Sequence, residues 1–240
     1  MFYGYGLDPT IIILIPALLI SMYAQGKVQS TFRRFSNVRN QTGLTGAQAA
    51  RRMLDVNGLQ DVQINAIAGS LTDHYDPRNR TLNLSEPVYN VPSVAAVSVA
   101  CHEAGHALQH ARGYVPLTFR NTIVPVVNFA SRISWIMIVI GIMLLFAGRG
   151  GGSPMGGMIL DIGIIAFIVV IVFHLVTLPV EFNASRRALQ QMESIGLVMQ
   201  EDMVGSRKVL RAAAFTYVAA ALMAIANLLR ILAIVGFNRE

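Results

Sequence analysis

His102, Glu103 and His106 stand in the run His102-Glu103-Ala104-Gly105-His106, and an H-E-x-x-H spacing on a helix has a definite chemistry. Side chains four residues apart project from one helix face about one turn apart. Two neutral imidazoles so placed can hold one zinc ion at ~2.0–2.1 Å. Glu103 lies about 100° around the helix from His102, where its carboxylate reaches a water on the metal and not the metal itself. Zinc brings the pKa of such a water to about 7, and Glu103, as general base, accepts the proton and hands it to a leaving group. The same five-residue pattern also arises by chance in a polar helix. Here two of the chain's five histidines fall at the ligand spacing around a glutamate, beside small Ala104 and Gly105, and this context favours a metal site.

A catalytic zinc takes a third protein ligand and keeps one position for water. The best candidate is Glu181, in Pro179-Val180-Glu181-Phe182-Asn183-Ala184-Ser185, with an interfacial carboxylate as the plainer reading. Ser185 sits one turn on and can orient a ligand through a hydrogen bond. His74 is read either as shaping a substrate cleft or as a satisfied turn residue. His110, one turn beyond His106, points progressively away from a zinc held by the first two histidines. His174 lies in an apolar run seven residues before Glu181, near the same helix face; an ionisable residue there is a functional candidate, as oxyanion donor or as partner of Glu181, with packing against another helix as the alternative. Tyr217 is a comparable oxyanion donor. Cys101 abuts His102 but points about 100° away, and reads as a small buried residue.

These residues need elements to hold them. Thr45 caps a helix over Ala47 to Val56 that stops near Asn57-Gly58. Val62 to Ala68 and Thr81 to Ser85 read as short strands, with Asp76-Pro77-Arg78-Asn79 supplying turn chemistry between extended pieces. After Pro92 the alanine-rich run Ser93 to Arg112 is a helix with Gly113 as its stop, and it carries the H-E-x-x-H.

Around this segment the chain is apolar. Of its 240 residues 54% are hydrophobic and 13% charged, and the mean hydropathy is +0.52, a balance of membrane proteins and not of soluble domains. Four segments are long enough to cross a bilayer core as helices, at 7–24, 129–148, 158–180 and 209–236. The N-terminal one has no positive n-region or small-residue cleavage site and reads as a retained anchor. Lys27, Arg33, Arg34, Arg39, Arg51 and Arg52 follow the first span, Arg186, Arg187, Arg207 and Lys208 precede the last, and the glycine-rich turn Gly148 to Gly157 holds only Arg149. Cytoplasmic flanks carry the excess of Lys and Arg, so segments 27–128 and 181–208 face the cytoplasm and both termini lie outside. The net charge of +6 therefore reflects membrane topology; no basic patch interleaved with aromatics points to nucleic acid. One cysteine excludes an internal disulfide framework.

Asp73-His74-Tyr75-Asp76-Pro77, Leu84-Ser85, Val88-Tyr89, Ser93-Val94-Ala95-Ala96-Val97 and His102-Glu103-Ala104-Gly105-His106-Ala107 together resemble the YugP-type neutral zinc metallopeptidases, small membrane proteins, over nearly the whole chain. The resemblance implies His102 and His106 as ligands, Glu103 as base, and peptidase activity. The Glu181 segment is similar to the HtpX-like pattern of a ligand Glu followed by Ala-Asp, with Ser185 here in place of that Asp.

The expectation is a mainly α membrane protein: four transmembrane helices, a small α+β cytoplasmic zincin-like domain (27–128) with the H-E-x-x-H helix, and a cytoplasmic helical segment (181–208) supplying Glu181. Its activity would be zinc-dependent endopeptidase chemistry at the cytoplasmic membrane surface of a bacterial cell. Protein or peptide chains, membrane proteins among them, would be the substrates, held extended near Asp73 to Ser85. The spans offer surface for homo-oligomerisation or a membrane-protein partner equally. Two rivals stand beside this reading. Leu160-Asp161-Ile162-Gly163 echoes the third-ligand element of site-2-type intramembrane proteases, although Ser93 to Arg112 is too short an apolar run to span. A non-catalytic metal-binding scaffold would need four protein ligands, usually with cysteine.

Overall fold

A computed structural model describes residues 9–147 and 153–236. The expected start of the first span at Leu7, the two chain termini, and the first half of the glycine-rich turn, with Arg149, lie outside the described residues. A 3-10 turn, Pro9–Ile13, leads into α1 (Leu14–Ser36). Then follow α2 (Gly46–Val56), β1 (Gln63–Ile67), β2 (His74–Asp76), β3 (Thr81–Ser85), α3 (Glu86–Tyr89), α4 (Val94–Ala111), α5 (Val115–Ala147), α6 (Pro154–Ser194) and α7 (Gln200–Gly236). The chain is mainly helical, with one small sheet.

Among the described residues, four helices are long and apolar enough to cross a membrane: Pro9–Ser36, Val115–Leu145, Pro154–Ser194 and Gln200–Gly236. They outrun the apolar windows of the sequence. Only the apolar stretch reveals a span, whereas a helix continues through polar residues until something stops it. The first stop after the third span is Gly196 at φ +65°, in the left-handed region that glycine adopts without strain. Segment 181–208, expected as one cytoplasmic piece, is therefore the end of α6, a turn, and the start of α7. Residues 115–128, expected within segment 27–128, lie in α5.

The chain divides into two compact units. One takes in the described residues of Met1–Tyr23, Phe119–Thr177 and Val218–Glu240; the other takes in Ala24–Thr118 and Leu178–Tyr217. In the first, Ile138, Leu160 and Ile231 are buried together, and a Cβ on Gly141 would come within 2.7 Å of Leu160 Cα, so α5 and α6 meet backbone to backbone as small residues allow between membrane helices.

The second unit holds every element around the H-E-x-x-H. α2 starts with a full capping box, Thr45 Oγ1 accepting from Gln48 N and Gln48 Oε1 accepting from Thr45 N. Its apolar face buries Ala49, Ala50, Met53 and Leu54 in a core shared with Leu82, Leu84, Leu108, Met192, Leu197 and Leu210. The sheet order is β1-β3-β2. β3 runs parallel to β1 and antiparallel to β2, with Tyr75 opposite Leu82. β2, a strand that alternation could not reveal in three residues, thus leaves a free edge.

Candidate metal centre

α4 begins at Ser93, whose Oγ accepts from Ala96 N at 3.1 Å, and its alanines let neighbours pack close on several sides. One close approach is at Gly105: a Cβ there would lie 2.7 Å from the carbonyl oxygen of Ala184 on α6. Only hydrogen at position 105 lets the two helices come this near. Their contact sets His102 and His106 of α4 against Glu181 of α6.

The three side chains are buried, Glu181 to 2% exposure, and one ligand atom from each lies within 4.8 Å of the others. Glu181 Oε2 is 3.2 Å from His102 Nε2 and 3.7 Å from His106 Nε2. Zinc bonds of 2.0–2.1 Å at tetrahedral angles put neighbouring ligands about 3.3 Å apart. The donor set, two imidazole nitrogens and one carboxylate oxygen, therefore fits zinc in both type and spacing. Among the described residues no other such group of His, Cys, Asp or Glu is found.

Both histidines use the other ring nitrogen for a protein contact: His102 Nδ1 lies 3.1 Å from Ser185 Oγ, and His106 Nδ1 lies 3.0 Å from Gln109 Oε1. Both Nε2 atoms then face Glu181, as oriented metal ligands do. Burial alone would lower the pKa of His106. The hydrogen bond to Glu181 and the nearby Glu103 outweigh it, and the net shift is upward. A site whose carboxylates draw positive charge onto its histidines is one that favours a cation.

Glu103 Oε2 accepts a hydrogen bond from Tyr75 N at 3.2 Å, on the free edge of β2. Burial raises the pKa of its carboxyl and is the largest influence, against the pull of His106 and His102 downward. Tyr75 also ties its hydroxyl to His110 Nδ1 at 3.0 Å. The Asp73-His74-Tyr75-Asp76-Pro77 block thus has a physical account. Asp73 accepts from Ser85 N at 2.7 Å and from Ser85 Oγ. Asp76 accepts from Arg78 N and Asn79 Nδ2, closing the β2–β3 turn, and between them the strand edge is pinned over Glu103.

His74 opens β2 with both ring nitrogens engaged, Nδ1 donating to Thr72 O at 2.9 Å and Nε2 accepting from Asn83 Nδ2 at 3.2 Å. His174 belongs to the other unit, its ring edge-on to Phe173 at 6.1 Å. Tyr217 is half-buried on α7, and neither it nor His174 is a member of the His-His-Glu group. Cys101 is fully buried, and burial pushes its thiol up to about 12. Asp161 is exposed on α6. Sequence reasoning missed Gln109, Asn183 and the Tyr75 amide. A polar residue three positions after His106 on an otherwise apolar helix face was the available signal for Gln109.

Among the described residues, four helices able to cross a membrane and a buried His-His-Glu group able to hold a metal point to a multi-pass membrane protein with a candidate metal site. The family described as "Putative neutral zinc metallopeptidase" matches residues 10–236, and the chain belongs to that family. It is 48% identical over 231 residues to a Bacillus subtilis (strain 168) protein described as "Putative membrane protease YugP", an alignment covering 96% of this chain and 98% of that protein. No solved structure matches the chain.

Proposed function

We propose that this protein is a zinc-dependent membrane endopeptidase whose site is His102, His106 and Glu181 as ligands with Glu103 as general base. The observation that carries this is the convergence of the three donor atoms, at separations suited to one zinc ion, beside a carboxylate one residue from a ligand. When bound, zinc polarises a peptide carbonyl and acidifies a water. Glu103 takes the proton of the attacking water and delivers it to the departing amine. Its hydrogen bond from Tyr75 N aims the carboxylate. The hairpin near Asp73 to Ser85 holds an extended substrate through main-chain groups other than Tyr75 N, which Glu103 occupies, and brings a scissile bond beside Glu103. The zincin-like character of the second unit, with its helix, edge strand and third ligand from a later helix, follows from the same arrangement.

The Lys and Arg excess from Lys27 in the later part of α1 to Arg52, and around the α6–α7 turn, supports a cytoplasmic site and external termini. The substrates are then protein or peptide chains reachable at the cytoplasmic surface, and the partners are lipid and either a second copy or another membrane protein. Asp161, exposed on α6 and outside the His-His-Glu group, gives the site-2-type reading no support. The test is Glu103→Gln in purified protein. Zinc content should stay at the native level while cleavage of a peptide or membrane-protein substrate falls by roughly 10²–10⁴-fold; cleavage at the native rate would overturn the assignment.

A further inference from the structure

We propose that Gln109 is a positioning residue that fixes His106 in the tautomer able to bind metal, and that α6 dictates this choice through Asn183, Arg187 and the backbone carbonyl of Val180. The proposal rests on the metal-site reading above and deepens it.

The direction of every hydrogen bond in the chain follows from groups that have no choice. A guanidinium only donates and a backbone carbonyl only accepts. Arg187 Nε faces one end of the Asn183 side-chain amide at 2.6 Å, and a donor there requires that end to be the carbonyl oxygen, Oδ1. Gln109 Nε2 lies 3.0 Å from that same oxygen and 2.8 Å from Val180 O. Two acceptors face this end of the Gln109 amide, so it must be the NH2 end. The opposite end, Oε1, faces His106 Nδ1 at 3.0 Å, and a carbonyl oxygen there requires a proton on Nδ1. In the neutral ring Nε2 then holds the lone pair, and it is Nε2 that faces Glu181. Gln109 is 0% exposed, so no water competes for these bonds and the amide has no reason to flip.

His102 has no comparable constraint. Its Nδ1 partner is Ser185 Oγ, and a hydroxyl donates or accepts equally well. The two ligands are therefore held differently, one by a partner that dictates the tautomer and one by a partner that tolerates either. Arg187 adds a further fixture, its guanidinium lying over the Tyr114 ring at 5.8 Å, so the chain of constraint starts at a planar group that is itself held in place.

The test measures zinc affinity of the full-length protein in detergent by competition with a chromophoric chelator, with the d–d spectrum of the Co2+-loaded protein as a readout of coordination. Gln109→Leu should weaken zinc binding roughly 10–100-fold, as loss of an orienting partner does, and alter the Co2+ spectrum. Gln109→Glu keeps an acceptor for His106 Nδ1–H but loses both donors to α6, and should bind zinc nearly as the native protein does, whatever its melting temperature. Ser185→Ala should weaken zinc binding less than Gln109→Leu. Native affinity in Gln109→Leu, or loss in Gln109→Glu equal to that in Gln109→Leu, would overturn the proposal. If Gln109→Leu does not fold, the Gln109→Glu affinity decides alone, native-like affinity supporting the proposal and loss overturning it. A native protein that binds zinc no better than His106→Ala would instead overturn the metal-site reading, and this proposal with it.

Discussion

Glu103 is aimed by a backbone amide, while the metal-facing histidines are aimed by side chains. The difference matters for mutation. Removing Ser185 Oγ leaves His102 Nδ1 a buried group with one partner fewer, and Ser185→Ala should weaken zinc by up to about 10-fold, read by chelator competition. No substitution of the Tyr75 side chain removes its N–H, so Tyr75→Phe should break only the bond to His110 and leave kcat within about 3-fold, because the amide that aims Glu103 stays; a loss near that of Glu103→Gln would place the hydroxyl in the chemistry. At this scale the sequence made His102, Glu103 and His106 legible because one helix turn relates them. Glu181 was legible only through ligand counting and resemblance. Gln109 and Asn183 were not, because their roles depend on which turn of α6 lies against which turn of α4, a matter of long-range packing that spacing does not encode.

The helices that carry the site are joined by the absence of a side chain at position 105. Gly105→Ala would place a methyl group 2.7 Å from Ala184 O, backbone that cannot rotate aside, so α4 and α6 must separate. The expected cost is about 1–3 kcal/mol, seen as a lower melting temperature, together with weaker zinc binding as Glu181 moves off the histidines. Thr45→Ala removes one half of the α2 capping box and should cost about 1 kcal/mol without changing zinc affinity, since α2 supports α4 through the core and touches no ligand. Helix starts at Thr45 and Ser93 and the stop at Gly113 follow from local cap chemistry, and sequence reading found them. The lengths of α5 and α6 did not follow, since apolarity marks where a helix is buried in lipid and not where it ends. β2 was hidden for a different reason: three residues are too few for alternation, and its pairing with β3 is set by the Asp73 and Asp76 contacts.

The helices α1, α5, α6 and α7 each contribute described residues to both compact units. Orientation can be read by thiol labelling, because the native Cys101 is buried with its thiol pushed up to about 12 and gives no background. A cysteine introduced as Gln60→Cys, at an exposed position of the second unit, should react with an impermeant maleimide in inside-out vesicles and not in right-side-out ones; the reverse would place the site outside. Two segments 79 residues apart must together form one metal centre. That is tested most directly by zinc-edge X-ray absorption and zinc stoichiometry on the purified protein and its Glu181→Ala and Asp161→Ala variants. We expect one zinc per chain bound by two imidazoles with oxygen ligands in the native protein and in Asp161→Ala, and loss of that zinc in Glu181→Ala. A native protein without zinc, or zinc that survives Glu181→Ala and disappears in Asp161→Ala, would contradict it.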